Sequence, residues 1–187
     1  VRQEIIGSDR VYDEVKKAIS SALAVDEASI QPESVLTRDL DAESLDFLDI
    51  SYHLEQTFGF RMARHFVLEH AEEMFGEGTA IDENGCLTAP AVTMLRLRFN
   101  DDPSFLRPGM DMDEVVHLVT VESLVKSVLD ILDSLPETCP TCVHASWKTD
   151  DGTHVLCGSC GSAAAYKTGD ELVVDWLRRV QEKEHLF

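Results

Sequence analysis

Apolar residues recur at helical spacing along much of this chain. From Ser8, read as a cap, Val11, Val15, Ala18, Ile19, Ala22 and Leu23 share one stripe, with Asp13, Glu14, Lys16 and Lys17 mostly off it. A second helix is expected from Ser44 to Phe58. Leu45, Leu48 and Tyr52 mark one of its stripes, Phe47, Ile50, Leu54 and Phe58 the neighbouring one, and Gly59 stops it. The run ARHFVLEHAEEMFG predicts a further helix through Phe66, Val67, His70 and Met74, ended by Gly76 and Gly78. Thr120 reads as the cap of another, with Leu124, Val125, Val128, Leu129, Ile131, Leu132 and Leu135 on its apolar face. The last expected helix runs from Asp170 to Lys183, with Leu172, Val173, Trp176, Leu177 and Val180 on one side and Arg178, Arg179 and Lys183 in its final turns. It is expected to pack on the helical bundle or on the segment directly before it, 136–168.

Between these helices the pattern changes. Residues 24–43 form a long connection with Pro32 and spaced apolar anchors, Ile30, Val35, Leu36 and Leu40, which suit a loop packed on a bundle. MLRLRF at 94–99 alternates and predicts a short strand, paired across the Asn84-Gly85 turn if it is one. Residues 101–109, with Pro103 and Pro108, read as loop. Pro136 marks a boundary, after which two short segments flank an Asp151-Gly152 turn and predict a hairpin.

Composition narrows the classes. With 187 residues, 44% hydrophobic and 27% charged, the chain is in the globular range and long enough for one ordinary domain and a small one. Lys and Arg number 16 against 35 Asp and Glu, a net charge of −19, which repels nucleic acid and anionic membrane and favours basic protein partners. No stretch approaches the roughly 20 apolar residues of a membrane span, and a cytoplasmic location is expected.

Chemistry enters first at Ser44. Its hydroxyl is placed where loop becomes helix, with Asp39, Asp41 and Glu43 before it, Asp46 and Asp49 after it, and no Lys or Arg from 39 to 59. Glu43, Asp46 and Asp49 recur every three residues and form an acidic ridge beside it. Serines before acidic helices are most often only caps. Here the run D-L-D-A-E-S-L-D-F-L-D-I resembles the attachment motif of acyl carrier proteins, D-L-G-A-D-S-L-(D/E). Asp41 stands where that family often has Gly, and Glu43 where it usually has Asp.

The flanks resemble the family in the same order: a first helix, a long anchored loop, and a last segment in which a short helix III ends in a T-V turn that starts helix IV. The likeness covers residues 8–60 and 111–135. It implies a four-helix bundle whose Ser44 carries a 4'-phosphopantetheine arm attached by a transferase. It also implies acyl intermediates of fatty-acid, polyketide or related biosynthesis held as thioesters, no catalysis by the chain itself, and docking of acyl-processing enzymes, through basic patches, on Glu43, Asp46 and Asp49.

The main departure is an insertion at 61–112, between helices II and III. Its apolar residues are expected to bury one another in a satellite core or to form a lid over the cargo, with Arg96 and Arg98 either solvated or a functional basic pair. His65 and His70 are five apart and read as ordinary residues, and Cys86 as a bystander.

The remaining cysteines, Cys139, Cys142, Cys157 and Cys160, follow C-x2-C-x14-C-x2-C. Two such turns joined by a hairpin aim four thiolates at one tetrahedral metal, so a structural zinc site is expected, resembling zinc ribbons, with His144 and His154 as spare ligands. With two basic and three acidic residues from 136 to 168, this part lacks the electrostatic footprint of a nucleic-acid binder. The expected architecture is therefore mainly α: a carrier-type four-helix bundle at 8–135 with an inserted subdomain, then a small β zinc ribbon and a C-terminal helix at 136–187. The alternative function is an unmodified carrier-like adaptor acting through the ribbon.

Overall fold

The computed structural model describes residues 4–99 and 105–187. The chain divides into two compact units. One takes in the chain up to Met62 and Val119–Gly169, the other Ala63–Leu118 and Asp170–Phe187.

The first unit is built on α1 (Ser8–Leu23), which packs on α3 (Ser44–Phe58) and on α6 (Val121–Leu132). Its core is the set that helical periodicity selects: Val11, Val15 and Ile19 of α1, Ile50, Leu54 and Phe58 of α3, and Val128, Ile131 and Leu132 of α6, all buried. Gly7, not Ser8, is the N-cap of α1. Thr120 caps α6 as expected, its hydroxyl accepting from the Ser123 N–H while the Ser123 hydroxyl accepts from the Thr120 N–H.

The connection from α1 to α3 contains a 3-10 turn, Glu27–Ser29, and a one-turn helix α2 (Leu36–Asp39). Its anchors Ile30, Val35, Leu36 and Leu40 are buried as their spacing suggests. Backbone bonds tie it to the start of α6: Leu36 N–H to Val119 O, Val121 N–H to Ser34 O and Glu122 N–H to Pro32 O. These bonds account for backbone groups that a buried loop would otherwise leave unpaired.

After α6, β1 (Trp147–Thr149) and β2 (Val155–Cys157) pair antiparallel around the Asp151-Gly152 turn, with Trp147 opposite Cys157 and Thr149 opposite Val155. Ala163 bridges to Leu156 on the other edge of β2. The hairpin belongs to the same unit as the bundle.

The second unit holds α4 (Val67–Phe75), α5 (Ala89–Phe99) and α7 (Gly169–Glu184), the last from Asp170 onward. The 94–99 stretch is therefore helical, a correction to the expected strand. Thr88 starts α5, its hydroxyl accepting from the Ala91 N–H, and Pro90 lies in the first turn, where a missing N–H costs nothing. Ala91, Val92, Met94 and Leu95 are buried with helical spacing, and a six-residue alternation was too short to outweigh that start. The Asn84-Gly85 turn forms, with Ile81 bridged to Leu87. Residues 101–104 of the expected loop lie outside the described residues.

A satellite core does form here, from Leu68, Leu87, Met94, Leu95, Leu106 and Met110 among others. Val173 and Leu177 join it, so the last helix groups with the insertion, not with the bundle or ribbon as expected. The short helix III is realised as a 3-10 helix, Met112–Leu118, whose Val115 and Leu118 also join this core. Arg96 donates to Leu106 O, and Arg98 lies over the Trp176 ring, both inside this unit. His70 is buried, with Nε2 2.9 Å from Asp170 Oδ1. Burial works against the Asp170 charge, but the N–H groups of Arg64 and His65 and the His70 ring hold its carboxyl below the usual value. Among the described residues, no helix is long and apolar enough to cross a membrane.

Candidate functional site

Ser44 is exposed and is the first residue of α3. The cap position is occupied by Glu43, whose N–H donates to Asp46 Oδ2 at 2.8 Å, so the helix start does not depend on the serine hydroxyl. Ser44 therefore presents a free primary alcohol at the positive end of a helix. Glu43 and Asp49 are exposed beside it, while Asp46 is half-buried and engaged in the cap.

The two stripes of α3 separate in the structure. Ile50, Leu54 and Phe58 face the core, whereas Leu45, Leu48 and Tyr52 are 73%, 55% and 58% exposed. The acidic ridge is thus accompanied by an apolar surface beside Ser44.

The approach to Ser44 is fixed by its own residues. Leu40 and Ala42 are buried, and the Ala42 N–H reaches Leu36 O at 2.9 Å. Between them Asp41 adopts φ 56, the left-handed region that glycine enters freely and Asp tolerates. The acyl-carrier motif's glycine position is thus a backbone requirement met here by an aspartate.

Asp39 anchors this approach. Arg38 donates to its two oxygens at 2.9 and 3.0 Å and the Val35 N–H at 2.8 Å. The guanidinium first, then the N–H, hold the carboxyl down at about 2. An unfolded-chain value near 3.9 lies above that, so the contribution is fully present above about pH 4 and lost as pH falls through about 2. Asp39→Asn is expected to lower the thermal midpoint at neutral pH, with the deficit closing toward about pH 2. Melting curves across that range check it, and a pH-independent deficit would contradict it.

The second site is the cysteine quartet. The four Sγ atoms of Cys139, Cys142, Cys157 and Cys160 all lie within 4.8 Å of one another, with Cys139 3.7 Å from Cys160 and Cys142 3.5 Å from Cys157. Zinc–sulfur bonds of about 2.3 Å in a tetrahedron require sulfurs about 3.8 Å apart, so the quartet fits zinc. Ser162, through its hydroxyl and then its N–H, lowers the Cys160 thiol to about 6. The His144 N–H favours a Cys142 thiolate, yet burial and the three neighbouring thiols push it up to about 12. A dication among the four sulfurs would favour the thiolate form of each against that burial. His144 and His154 are not in the quartet: His144 Nδ1 lies against Cys142 O, and His154 Nδ1 pairs with Asp151.

The two knuckles repeat one hydrogen-bond pattern. Cys139 N–H reaches His144 O and Val143 N–H reaches Cys139 O; likewise Cys157 N–H reaches Ser162 O and Gly161 N–H reaches Cys157 O. The equivalent residues Gly161 and Val143 have φ 76 and 63. Glycine suits that conformation, but a β-branched residue does not, and Val143 is 75% exposed, so burial offsets nothing. Val143→Gly is expected to stabilise the zinc-loaded ribbon by roughly 1 kcal/mol, the left-handed penalty less some chain entropy, or about fivefold in zinc affinity. Competition with a chromogenic chelator measures it.

Comparison with known proteins bears on the first site. A family model described as "Phosphopantetheine attachment site" matches residues 13–72, which include Ser44 and its approach. An acyl carrier protein of Petrotoga mobilis is 30% identical over 80 residues, 40% of this chain and 94% of that one. Those of Coprothermobacter proteolyticus and Thermotoga maritima are 34% and 37% identical over 55 and 54 residues, each alignment covering 29% of this chain and 67% of the relative. No solved structure matches. A helix opening on a free serine, the long anchored loop before it and these relatives lead to one assignment: this chain belongs to the acyl carrier protein family, whose cofactor is 4'-phosphopantetheine, and adds a four-cysteine zinc ribbon.

Proposed function

We propose that Ser44 is the phosphopantetheine attachment residue and that the chain carries acyl intermediates for fatty-acid, polyketide or related biosynthesis. The observation that carries this reading is the exposed Ser44 hydroxyl at the first position of α3, with the cap supplied by other residues. The N-terminal N–H groups of α3 suit the phosphodiester of the arm. When bound, the arm supplies a thiol on which an acyl group is held as a thioester. The chain itself acts as a carrier and catalyses nothing.

Partners follow from the surface around Ser44. A phosphopantetheinyl transferase and acyl-processing enzymes dock by basic patches on Glu43 and Asp49, with Asp46 adding charge from its cap position. Leu45, Leu48 and Tyr52 supply the apolar part of the contact. Charge steering of this kind weakens as salt rises. Cys139, Cys142, Cys157 and Cys160 hold zinc in a closed, structural site, and thiols kept reduced for it suit the cytoplasm.

The test is the intact mass of the chain isolated from its native host. The expected result is one phosphopantetheine increment plus an acyl mass that hydroxylamine releases as a thioester, which names the cargo. Protein present only at its unmodified mass during growth would contradict the carrier reading.

A further inference from the structure

Three consecutive residues leaving α3 are each met by the stretch 154–169 of the same unit, the first two by the ribbon and the third by the residue that opens α7. A Cβ on Gly59, the left-handed C-terminal residue at φ 72, would lie 3.3 Å from His154 Cδ2, so the imidazole sits directly against this backbone. Phe60, stacked on Phe58 at 5.5 Å, makes a T-shaped contact with Tyr166 at 6.3 Å. The Arg61 carbonyl accepts the Gly169 N–H at 2.9 Å. The next residue, Met62, donates its N–H to the buried Glu55 Oε1 at 2.9 Å, which returns the chain to α3.

The groups that do the holding are themselves set by β2. His154 is fixed by Asp151, which accepts from the N–H groups of Thr153 and His154 and pairs with the His154 ring at 2.8 Å. That turn opens directly into β2. On the other edge of β2, Cys157 N–H to Ser162 O, Ala164 N–H to Val155 O and the Leu156–Ala163 bridge align the segment that leads to Tyr166. Strand β2 ends on Cys157, one of the four thiol residues. A path of strand hydrogen bonds and side-chain contacts thus runs from the metal site to the end of the helix that begins with Ser44.

We propose that the ribbon is a zinc-dependent clasp on the exit of α3, so that zinc occupancy sets the order of residues 55–62 and makes zinc supply an input to the carrier. The inference rests on the four thiols as the zinc site; only its consequence for carriage rests on Ser44 as the attachment residue. A ribbon of this size has little core of its own and orders only with its metal, so losing the metal releases His154 and Tyr166 together. Gly59 then keeps its α3 backbone bond but loses its cover, and the helix end frays.

Hydrogen exchange of the full chain tests this, read by peptide for the zinc-loaded, chelated and zinc-restored protein. Chelation is expected to speed exchange at 55–62 on the order of tenfold, reversibly, with the 46–50 amides of α3 unchanged. His154→Ala/Tyr166→Ala with zinc retained should speed 55–62 alone while the amides of 155–164 stay protected. Ribbon amides that lose protection on chelation while 55–62 does not change would overturn the clasp. A ribbon that keeps its protection without zinc would overturn its zinc dependence. Intact mass after transferase treatment reads the carrier role separately: a chain that gains no arm but shows the exchange change would sink the attachment reading and leave the clasp standing.

Discussion

Replacing Ser44 with alanine is expected to abolish phosphopantetheine loading completely while leaving the fold in place. The hydroxyl is exposed and takes no part in starting α3, because Asp46 already satisfies the Glu43 N–H and alanine is a good residue in a first helical turn. Thermal midpoints of the two proteins should therefore agree within the ordinary range of surface substitutions, about 0.5 kcal/mol. Several other serines cannot substitute. The hydroxyls of Ser20, Ser29, Ser123, Ser127 and Ser134 each donate to a backbone carbonyl. Both proteins would be incubated with coenzyme A and transferases of broad and narrow specificity, then weighed intact. One increment on the parent and none on the variant is the expected result. An equal gain on Ser44→Ala would move the site elsewhere, and no gain on the parent with any transferase would remove it.

Withdrawal of zinc is expected to be the largest single blow to folding. Structural zinc is worth about 10–16 kcal/mol in finger peptides at neutral pH, far more than the few buried side chains of the ribbon, Cys139, Thr153, Val155 and Cys157, supply. Cys157→Ser should lose the metal and unfold the hairpin, since Cys157 is buried and supplies one of the four thiols of the quartet. The bundle should survive, because Val11, Val15 and Ile19 pack with Ile50, Leu54, Val128 and Ile131 without using the ribbon. Far-ultraviolet circular dichroism should therefore keep most of its helical signal. The Trp147 environment, set by its indole N–H to Pro136 O, should change sharply. Elemental analysis should give one zinc per parent chain. Metal-free, reduced protein with an unchanged Trp147 signal would contradict the assignment.

Much of both sites was legible in the sequence because their signals are local. The spacing of Ile50, Leu54 and Phe58 with Gly59 delimits α3, Thr120 marks the start of α6, and two C-x-x-C turns around Asp151-Gly152 declare a ribbon. Each depends on contacts a few residues apart or on one hairpin. Two local signals were less clear. The alternation at 94–99 gave way to Thr88 and Pro90 upstream, and the left-handed backbone at Asp41 was hidden because the residue there is not glycine.

The sequence by itself determined the helices α1, α3, α4, α6 and α7, though not α5, and it determined where the free serine sits and which thiols meet. Tertiary structure alone decided which of the two apolar stripes of α3 is buried, since Leu45, Leu48 and Tyr52 are as apolar as their neighbours and only packing on α1 distinguishes them. It also decided that α7 joins the insertion, where Asp170 meets His70 across 100 residues, and that Gly59, Phe60 and Arg61 are held by His154, Tyr166 and Gly169. Periodicity says that a face is apolar; it carries no information about which distant apolar face will cover it, because burial is non-directional and many pairings remove the same area from water.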